Sequence, residues 1–223
     1  EHEGRRTEKK SLADAVVNPH QQDCGYPYKE LCGAGVAWNV IRVLYENYDM
    51  DKREAEDLLD FVAMATVCDV MSLTGENRIL VKEGLKRIRH TKNIGLQALM
   101  QACNVQPENI SAYHFGYVLG PCVNATGRLD TARHALRLFE TGQETEAEEI
   151  ARDLVDLNQE RKELTLQGVE MAKKLCEEGG YENDPVLVLF LPDVHESIAG
   201  LIAGRIRERF FVSFGRYMDL QLG

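Results

Sequence analysis

Apolar residues recur at spacings of three and four along most of this chain, which is the period of helices that bury one face. Val36, Val40, Val43 and Leu44, for example, share one such face. The pattern predicts helices over residues 31–48, 51–67, 131–139, 144–178 and 198–210, and two more inside 78–103 that separate near 91–93. The helix over 144–178 is the longest, and the glycine pair after it is a usual helix end.

Two segments have the pattern of strands instead. Residues 185–191, PVLVLFL, form a short apolar run typical of a buried strand, and residues 13–17 have the pattern of a shorter one. A strand, a loop and then a helix begin an α/β unit, so we predict an α/β protein whose second domain starts near residue 181. Residues 117–128 contain Gly120-Pro121 and Gly127 and are predicted to form a loop.

The composition is that of a globular protein, with 44% hydrophobic and 28% charged residues. No apolar run approaches the roughly 20 residues that cross a bilayer, and the charged first ten residues do not form a signal peptide. The six cysteines lack the spacing of a zinc site or of a disulfide framework. Reduced thiols in a reducing compartment explain them, so we expect a cytoplasmic protein.

The net charge of −10 argues at first against a nucleic-acid partner, because phosphate binding is usually accompanied by a basic surface. The charge is uneven, however, and basic residues cluster within 82–92, 128–137 and 205–216. Such a cluster is often only the solvated face of a helix. Net charge therefore neither supports nor excludes nucleic-acid binding.

Asp69 lies at the end of an apolar stretch, where a carboxylate is unfavourable unless it is paired or bound to a metal ion. Carboxylates suit hard ions such as Mg²⁺ and Mn²⁺, although a lone aspartate in this position is more often a helix cap or an ion-pair partner. Residues 120–128, GPCVNATGR, permit tight backbone geometry, and Arg128 offers a planar fork that suits phosphate. The alternative is a turn with a salt-bridging arginine.

His195 and Glu196 follow the predicted strand, which is the usual place for ligands in open α/β sheets. The N-terminus of the next helix would favour an anion there. The alternative is that Glu196 lies in the first turn of that helix and that His195 is an exposed loop residue.

Several segments together resemble the RecJ-type nucleases of the DHH phosphoesterase family. They are ADAVVNPHQQDCGYPYKELCGAGVAW at 13–38, ATVCDVMSLTGENR at 65–78, GPCVNATGRLD at 120–130, LNQER at 157–161 and HESIAGLIAGRIRERF at 195–210. The segments occur in the family's order, which makes them far more specific than any one motif.

The resemblance implies an α/β fold that contains the C-terminal part of a parallel-sheet DHH domain, a long connecting helix and the start of a second, DHH-associated α/β domain. These parts correspond to residues 1–139, 140–180 and 181–223. The family's Asp-His-His signature has no complete counterpart here, and Cys122 occupies a position where the family usually has arginine. We therefore expect the chain to be a fragment without the N-terminal metal motifs, and to be inactive alone.

The resemblance also implies a metal-dependent exonuclease that hydrolyses single-stranded DNA in repair and recombination, with Mn²⁺ or Mg²⁺ in a two-ion site. Asp69 would be a metal ligand and Arg128 a catalytic phosphate clamp. Substrate binding would involve Asn124, Arg128, His195 and Arg205. The implied partners are single-stranded DNA, with single-strand-binding or repair proteins as candidates, and no membrane. Two alternatives stay open: a DHH phosphoesterase that acts on short RNA or cyclic dinucleotides, and a non-catalytic RecJ-like scaffold.

Overall fold

A computed structural model describes residues 13–129, 132–181, 186–192 and 194–210 of the chain. Its α-helices are α1 (Gly33–Asn47), α2 (Lys52–Asp57), α3 (Leu59–Cys68), α4 (Gly75–Arg87), α5 (Ile94–Ala102), α6 (Ala112–His114), α7 (Gly120–Leu129), α8 (Ala132–Glu140), α9 (Glu144–Gly179) and α10 (Glu196–Phe210). A π-helical turn, Phe115–Leu119, joins α6 to α7. Among the described helices, none combines the length and the apolar character that a membrane crossing requires.

The chain divides into two compact units. Unit 1 contains Glu1–Pro121 and Leu138–Ala151, and unit 2 contains Cys122–Arg137 and Arg152–Gly223. The helix predicted over 144–178 is confirmed as α9, which contributes its first residues to unit 1 and the remainder to unit 2.

Unit 1 is built around an apolar cluster to which α1, α3 and α4 contribute. Its buried members are Leu31, Trp38, Leu59, Val62 and Leu80. The Trp38 indole donates from Nε1 to the Ala55 carbonyl at 2.7 Å, so its one polar group is satisfied inside the core. Asn93 caps α5 by accepting from the Leu96 N–H at 2.9 Å. Its amide also donates to the Phe139 carbonyl at 2.9 Å, which ties the start of α5 to the end of α8.

Unit 2 packs α10 against the second half of α9. The buried residues of this core are Val169, Ala172, Cys176, Leu187, Leu191, Ile198, Ile202 and Ile206. Gly168 allows the two helices to approach closely, because a Cβ at this position would collide with the Ile202 side chain and would lie 3.4 Å from Val194 Cγ2. The predicted helix over 198–210 is confirmed, and it begins two residues earlier than expected.

The predicted α/β fold with a parallel sheet is wrong, because no residue of the described part of the chain is in a strand. Residues 187–191 do alternate as a strand would: Leu187 and Leu191 are buried against the unit 2 helices, whereas Val188 and Phe190 are 64% and 55% exposed. A sheet also needs a second chain segment to complete the backbone ladder. No described segment pairs with this one, and residues 13–17 do not form a strand either.

The predicted loop over 117–128 is also wrong, because this segment is helical throughout. Cys122, Ala125 and Thr126 are buried at the i, i+3, i+4 spacing of a helix face, which outweighs the turn-forming residues between them. The ring of Pro121 would clash with the carbonyl four residues earlier in a regular α-helix. The wider π-helical turn that precedes Pro121 accommodates its ring.

Candidate active site

Asp69 is the residue that ends α3. Its backbone N–H donates to the Ala65 carbonyl at 2.9 Å, and Val70 after it has a positive φ of 55° that turns the chain away. The carboxylate is exposed, and it has no hydrogen bond or ion pair within the described ranges. It adds its charge to the negative end of the α3 dipole, so this position attracts cations. The helix-cap interpretation is correct for the backbone, and it leaves the carboxylate available as a ligand.

Cys68 connects the end of α3 to the π-helical turn. Its thiol donates to the Phe115 carbonyl at 3.5 Å, and the same carbonyl accepts the Gly120 backbone N–H. Burial raises the pKa of the Cys68 thiol to about 11, and the charge of Asp69 adds to this shift. The thiol therefore stays protonated at neutral pH, which suits a hydrogen-bond donor and not a thiolate ligand or nucleophile.

Gly120 packs directly against this thiol. A Cβ on Gly120 would collide with Cys68 Sγ and would lie 2.5 Å from the Phe115 carbonyl oxygen, closer than Cβ atoms come to other atoms in proteins. Gly120 is also the first residue of the GPCVNATGRLD segment. The structure therefore places Cys68, the neighbour of the predicted metal ligand Asp69, in contact with the first residue of that segment.

Asn124 and Arg128 both lie on α7, four positions apart, so their backbones occupy one side of the helix. The Asn124 side chain is exposed. The Arg128 side chain lies outside the described residues, so its predicted contact with phosphate stays a prediction.

His195 and Arg205 lie at the start of α10 and along it, in unit 2. His195 precedes the first turn, where its Nδ1 lies 2.7 Å from the Ser197 hydroxyl and accepts the Ser197 N–H at 3.3 Å. Because Nδ1 accepts this N–H, Nε2 is the nitrogen that can donate to a ligand. Arg205 is exposed, but ten residues along a helix place it about 15 Å from His195. The two residues therefore do not form one local cluster.

Asn158 is a polar residue that the sequence interpretation left without a role. It is 5% exposed, donates from Nδ2 to Cys122 Sγ at 3.4 Å, and accepts both the Nε and an Nη of Arg161, at 3.2 and 2.9 Å. The feature of the sequence that could have revealed its role is an amide within the apolar row of α9 that contains the buried Leu154. Asn158 therefore links Cys122 of α7 to the Arg161 guanidinium.

A complete metal site does not occur in the described part of the chain, where no group of three or more His, Cys, Asp or Glu side chains is placed to hold an ion. Asp69 contributes one carboxylate, and a two-ion site requires several. The described residues therefore fit the edge of such a site and not the whole of it.

No family model matches the chain. It is 36% identical over 212 residues to the single-stranded-DNA-specific exonuclease RecJ of Escherichia coli, in a match that covers 89% of this chain and 37% of that protein. It is 30% identical over 197 residues to RecJ of Bacillus subtilis, covering 88% of this chain and 24% of that one. The chain thus spans well under half the length of these curated relatives.

Two solved structures are similar to this chain. RecJ from Thermus thermophilus in complex with Mn²⁺ matches with a TM-score of 0.73 and 32% identity, covering 86% of this chain and 28% of that one. An exonuclease RecJ bound to manganese matches with a TM-score of 0.77 and 32% identity, covering 92% of this chain and 50% of that one.

Proposed function

We infer that the intact protein is a metal-dependent exonuclease of single-stranded DNA. The chain belongs to the RecJ-type exonucleases over the segment that it shares with them. The observation that carries this proposal is the contact of Cys68, the residue before Asp69, with Gly120 at the start of the GPCVNATGRLD segment. The relatives' identity of 36% supports it, because the match covers 89% of this chain and includes both segments.

We assign Asp69 the role of one ligand for Mn²⁺ or Mg²⁺, the ions held by the similar RecJ structures. When bound, such an ion would polarise a phosphoryl oxygen or a water molecule. Its other ligands are assigned to parts of the protein beyond the described residues, because Asp69 is one carboxylate alone. We accordingly propose that residues 1–139 are the C-terminal part of a DHH domain, 140–180 a connecting helix and 181–223 the start of a DHH-associated domain.

The other predicted site residues are assigned to phosphate binding. Asn124 presents an exposed amide on α7, one helical turn before Arg128. A guanidinium at that position could grip two phosphate oxygens at once. His195 offers an Nε2–H donor at the start of α10, and Arg205 an exposed cation farther along it. These groups bind and orient the strand, while Asp69 helps to define where it is cleaved.

We further propose a cytoplasmic protein that serves DNA repair and recombination, with single-strand-binding or repair proteins as candidate partners. All six cysteines lie within the described residues and none forms a disulfide, as expected in a reducing compartment.

A substrate panel on the full-length gene product tests the proposed function. It contains labelled single-stranded DNA, the matching duplex, a short RNA and a cyclic dinucleotide, each with Mn²⁺, with Mg²⁺ and with a chelator. We expect metal-dependent release of nucleotides from single-stranded DNA, slow attack on the duplex and no activity with chelator. Preference for the RNA or the cyclic dinucleotide would favour another DHH phosphoesterase, and binding without any hydrolysis would favour a scaffold.

The 223-residue chain alone is the internal control. It should release few or no nucleotides, because one carboxylate cannot hold two divalent ions. Mn²⁺-dependent hydrolysis by this chain, free of contaminating nuclease, would contradict the assignment of the remaining ligands to other parts of the protein.

A further inference from the structure

Two exposed tyrosines are stacked on each other beside the end of α3. The rings of Tyr113 and Tyr117 have centroids 5.1 Å apart and planes inclined by 24°. Tyr113 is 63% exposed and Tyr117 is 74% exposed, so their outer faces are open to solvent. Neither hydroxyl has a hydrogen bond within the described ranges.

The segment that carries the pair, α6 and the π-helical turn, is anchored by buried side chains and hydrogen bonds. Phe115 and Leu119 on the same π-helical turn are fully buried, and the Phe115 carbonyl accepts from both the Gly120 N–H and the Cys68 thiol. Next to Tyr113, the His114 ring lies edge-on at a centroid distance of 5.7 Å, and its Nδ1 is held by the Ser111 capping box. The backbone that carries the two tyrosines is therefore held in place, and their own side chains bury little area in the core.

The same turn lies against the end of α3. A Cβ on Gly116, between the two tyrosines, would lie 3.4 Å from Val67 Cγ1, and Gly120 contacts Cys68. Gly116 and Gly120 thus face the last turn of α3, and Tyr117 lies on the turn between them. Asp69 is the next residue after Cys68, so the turn that carries Tyr117 packs against the helix whose end carries the proposed metal ligand.

We propose that Tyr113 and Tyr117 form a platform on which an unpaired base of the DNA strand stacks, next to the bond that is hydrolysed. The proposal rests on the proposed function and adds an origin for single-strand preference. A nucleobase offers a flat π face whatever its identity, so stacking on a tyrosine binds any sequence. In a duplex both faces of each base are already covered by its neighbours, and a base must be unstacked before it can reach the platform.

The test measures equilibrium binding of a fluorescein-labelled single-stranded oligonucleotide to the full-length protein in chelator, where nothing is hydrolysed. The double variant Tyr113→Leu/Tyr117→Leu removes the aromatic faces, and Tyr113→Phe/Tyr117→Phe keeps them and removes only the hydroxyls. A matched control is Tyr48→Leu, because Tyr48 is also 74% exposed but lies at the end of α1. A second oligonucleotide with abasic spacers replaces the bases and keeps the phosphates.

We expect the leucine double variant to weaken binding of the normal oligonucleotide by roughly 5- to 150-fold. The phenylalanine double variant and Tyr48→Leu should stay within about 2-fold of wild type, and the abasic oligonucleotide should bind the wild type and the leucine variant alike. In Mn²⁺, the leucine variant should show a raised KM with kcat changed much less, because the reacting groups are intact.

Unchanged binding of normal DNA by the leucine variant overturns the proposal, and so does an equal loss on abasic DNA. A phenylalanine variant as weak as the leucine variant also overturns it, since the hydroxyls would then be the binding groups. These outcomes concern binding alone and are distinct from failure of the proposed function, which would show as bound but uncleaved DNA in Mn²⁺.

Discussion

Replacing Gly120 by alanine tests the contact that joins α3 to the start of α7. The new Cβ would lie 2.5 Å from the Phe115 carbonyl oxygen and would also collide with Cys68 Sγ. The carbonyl is backbone and is held by two donors, so it cannot move aside without loss of those hydrogen bonds. The start of α7 must shift instead, and this displaces the end of α3, where Cys68 and the adjacent Asp69 lie.

Overpacking of this kind usually destabilises a protein by about 1–3 kcal/mol. Against this, alanine in a helix interior is more stable than glycine by roughly 0.5–1 kcal/mol. The net effect of Gly120→Ala should therefore be a loss of up to about 2.5 kcal/mol. In a chain of this length that corresponds to a Tm lowered by up to about 10 °C.

The assay is thermal unfolding of the 223-residue chain followed by circular dichroism, with Gly127→Ala as the matched control. Gly127 lies on the same helix, and a Cβ there would meet nothing within 4 Å. The control should raise the Tm by about 1–4 °C, because only the helix preference changes. If Gly120→Ala stabilises the chain as much as Gly127→Ala does, the close contact between α3 and α7 does not exist as described.

Three further predictions concern other parts of the chain. Burial raises the pKa of Asp60 above its ordinary value, so its contribution to stability is present below about pH 3.9 and is lost as pH rises through the raised pKa. The unfolding free energy of wild type relative to Asp60→Asn should therefore fall with rising pH in urea titrations, and a constant difference would contradict it. Gly168→Ala should lower the Tm by crowding the core of unit 2, whereas Gly204→Ala, with open space around its Cβ position, should not. Arg128→Lys in the full-length protein should slow hydrolysis by tens- to hundreds-fold while low-salt DNA binding changes little. Turnover at the wild-type rate would make Arg128 a structural residue.

The helices could be predicted from the sequence because each long one buries a regularly spaced face. In α9 the row that includes Ala147, Ile150, Ala151 and Leu154 is buried at spacings of three and four, as the pattern requires. The period gives the element but not always the buried side. In α1 the structure buries Gly35 and Trp38, whereas Val43 and Leu44 are 48% and 45% exposed.

The sheet could not be judged from the sequence because a strand depends on a partner elsewhere in the chain. Residues 187–191 have the alternating burial of a strand, and only the backbone ladder is missing in the described ranges. The loop prediction that includes residues 120–128 was wrong for a different reason. Its glycines and proline favour a turn locally, and the burial of Cys122 and Ala125 outweighs them.

The metal-ligand role of Asp69 stays a prediction from the resemblance of residues 65–78, and the structure adds that its carboxylate is exposed at the end of α3. The roles of Cys68 and Asn158 were not predictable, because each depends on a partner distant in sequence: Phe115 for the thiol and Cys122 for the amide. Spacing along one helix carries no information about such partners.

The measurement that tests the central claim most directly is Mn²⁺-dependent hydrolysis of single-stranded DNA by full-length Asp69→Ala. Asp156→Ala is the matched control, because Asp156 is also an exposed aspartate but lies on α9. We expect Asp69→Ala to lose hydrolysis while its Tm and most of its DNA affinity persist, since phosphate contacts elsewhere remain. Asp156→Ala should keep the wild-type rate. If Asp69→Ala retains more than about a tenth of that rate, the lost transition-state stabilisation is under roughly 1.4 kcal/mol, and Asp69 is not a metal ligand.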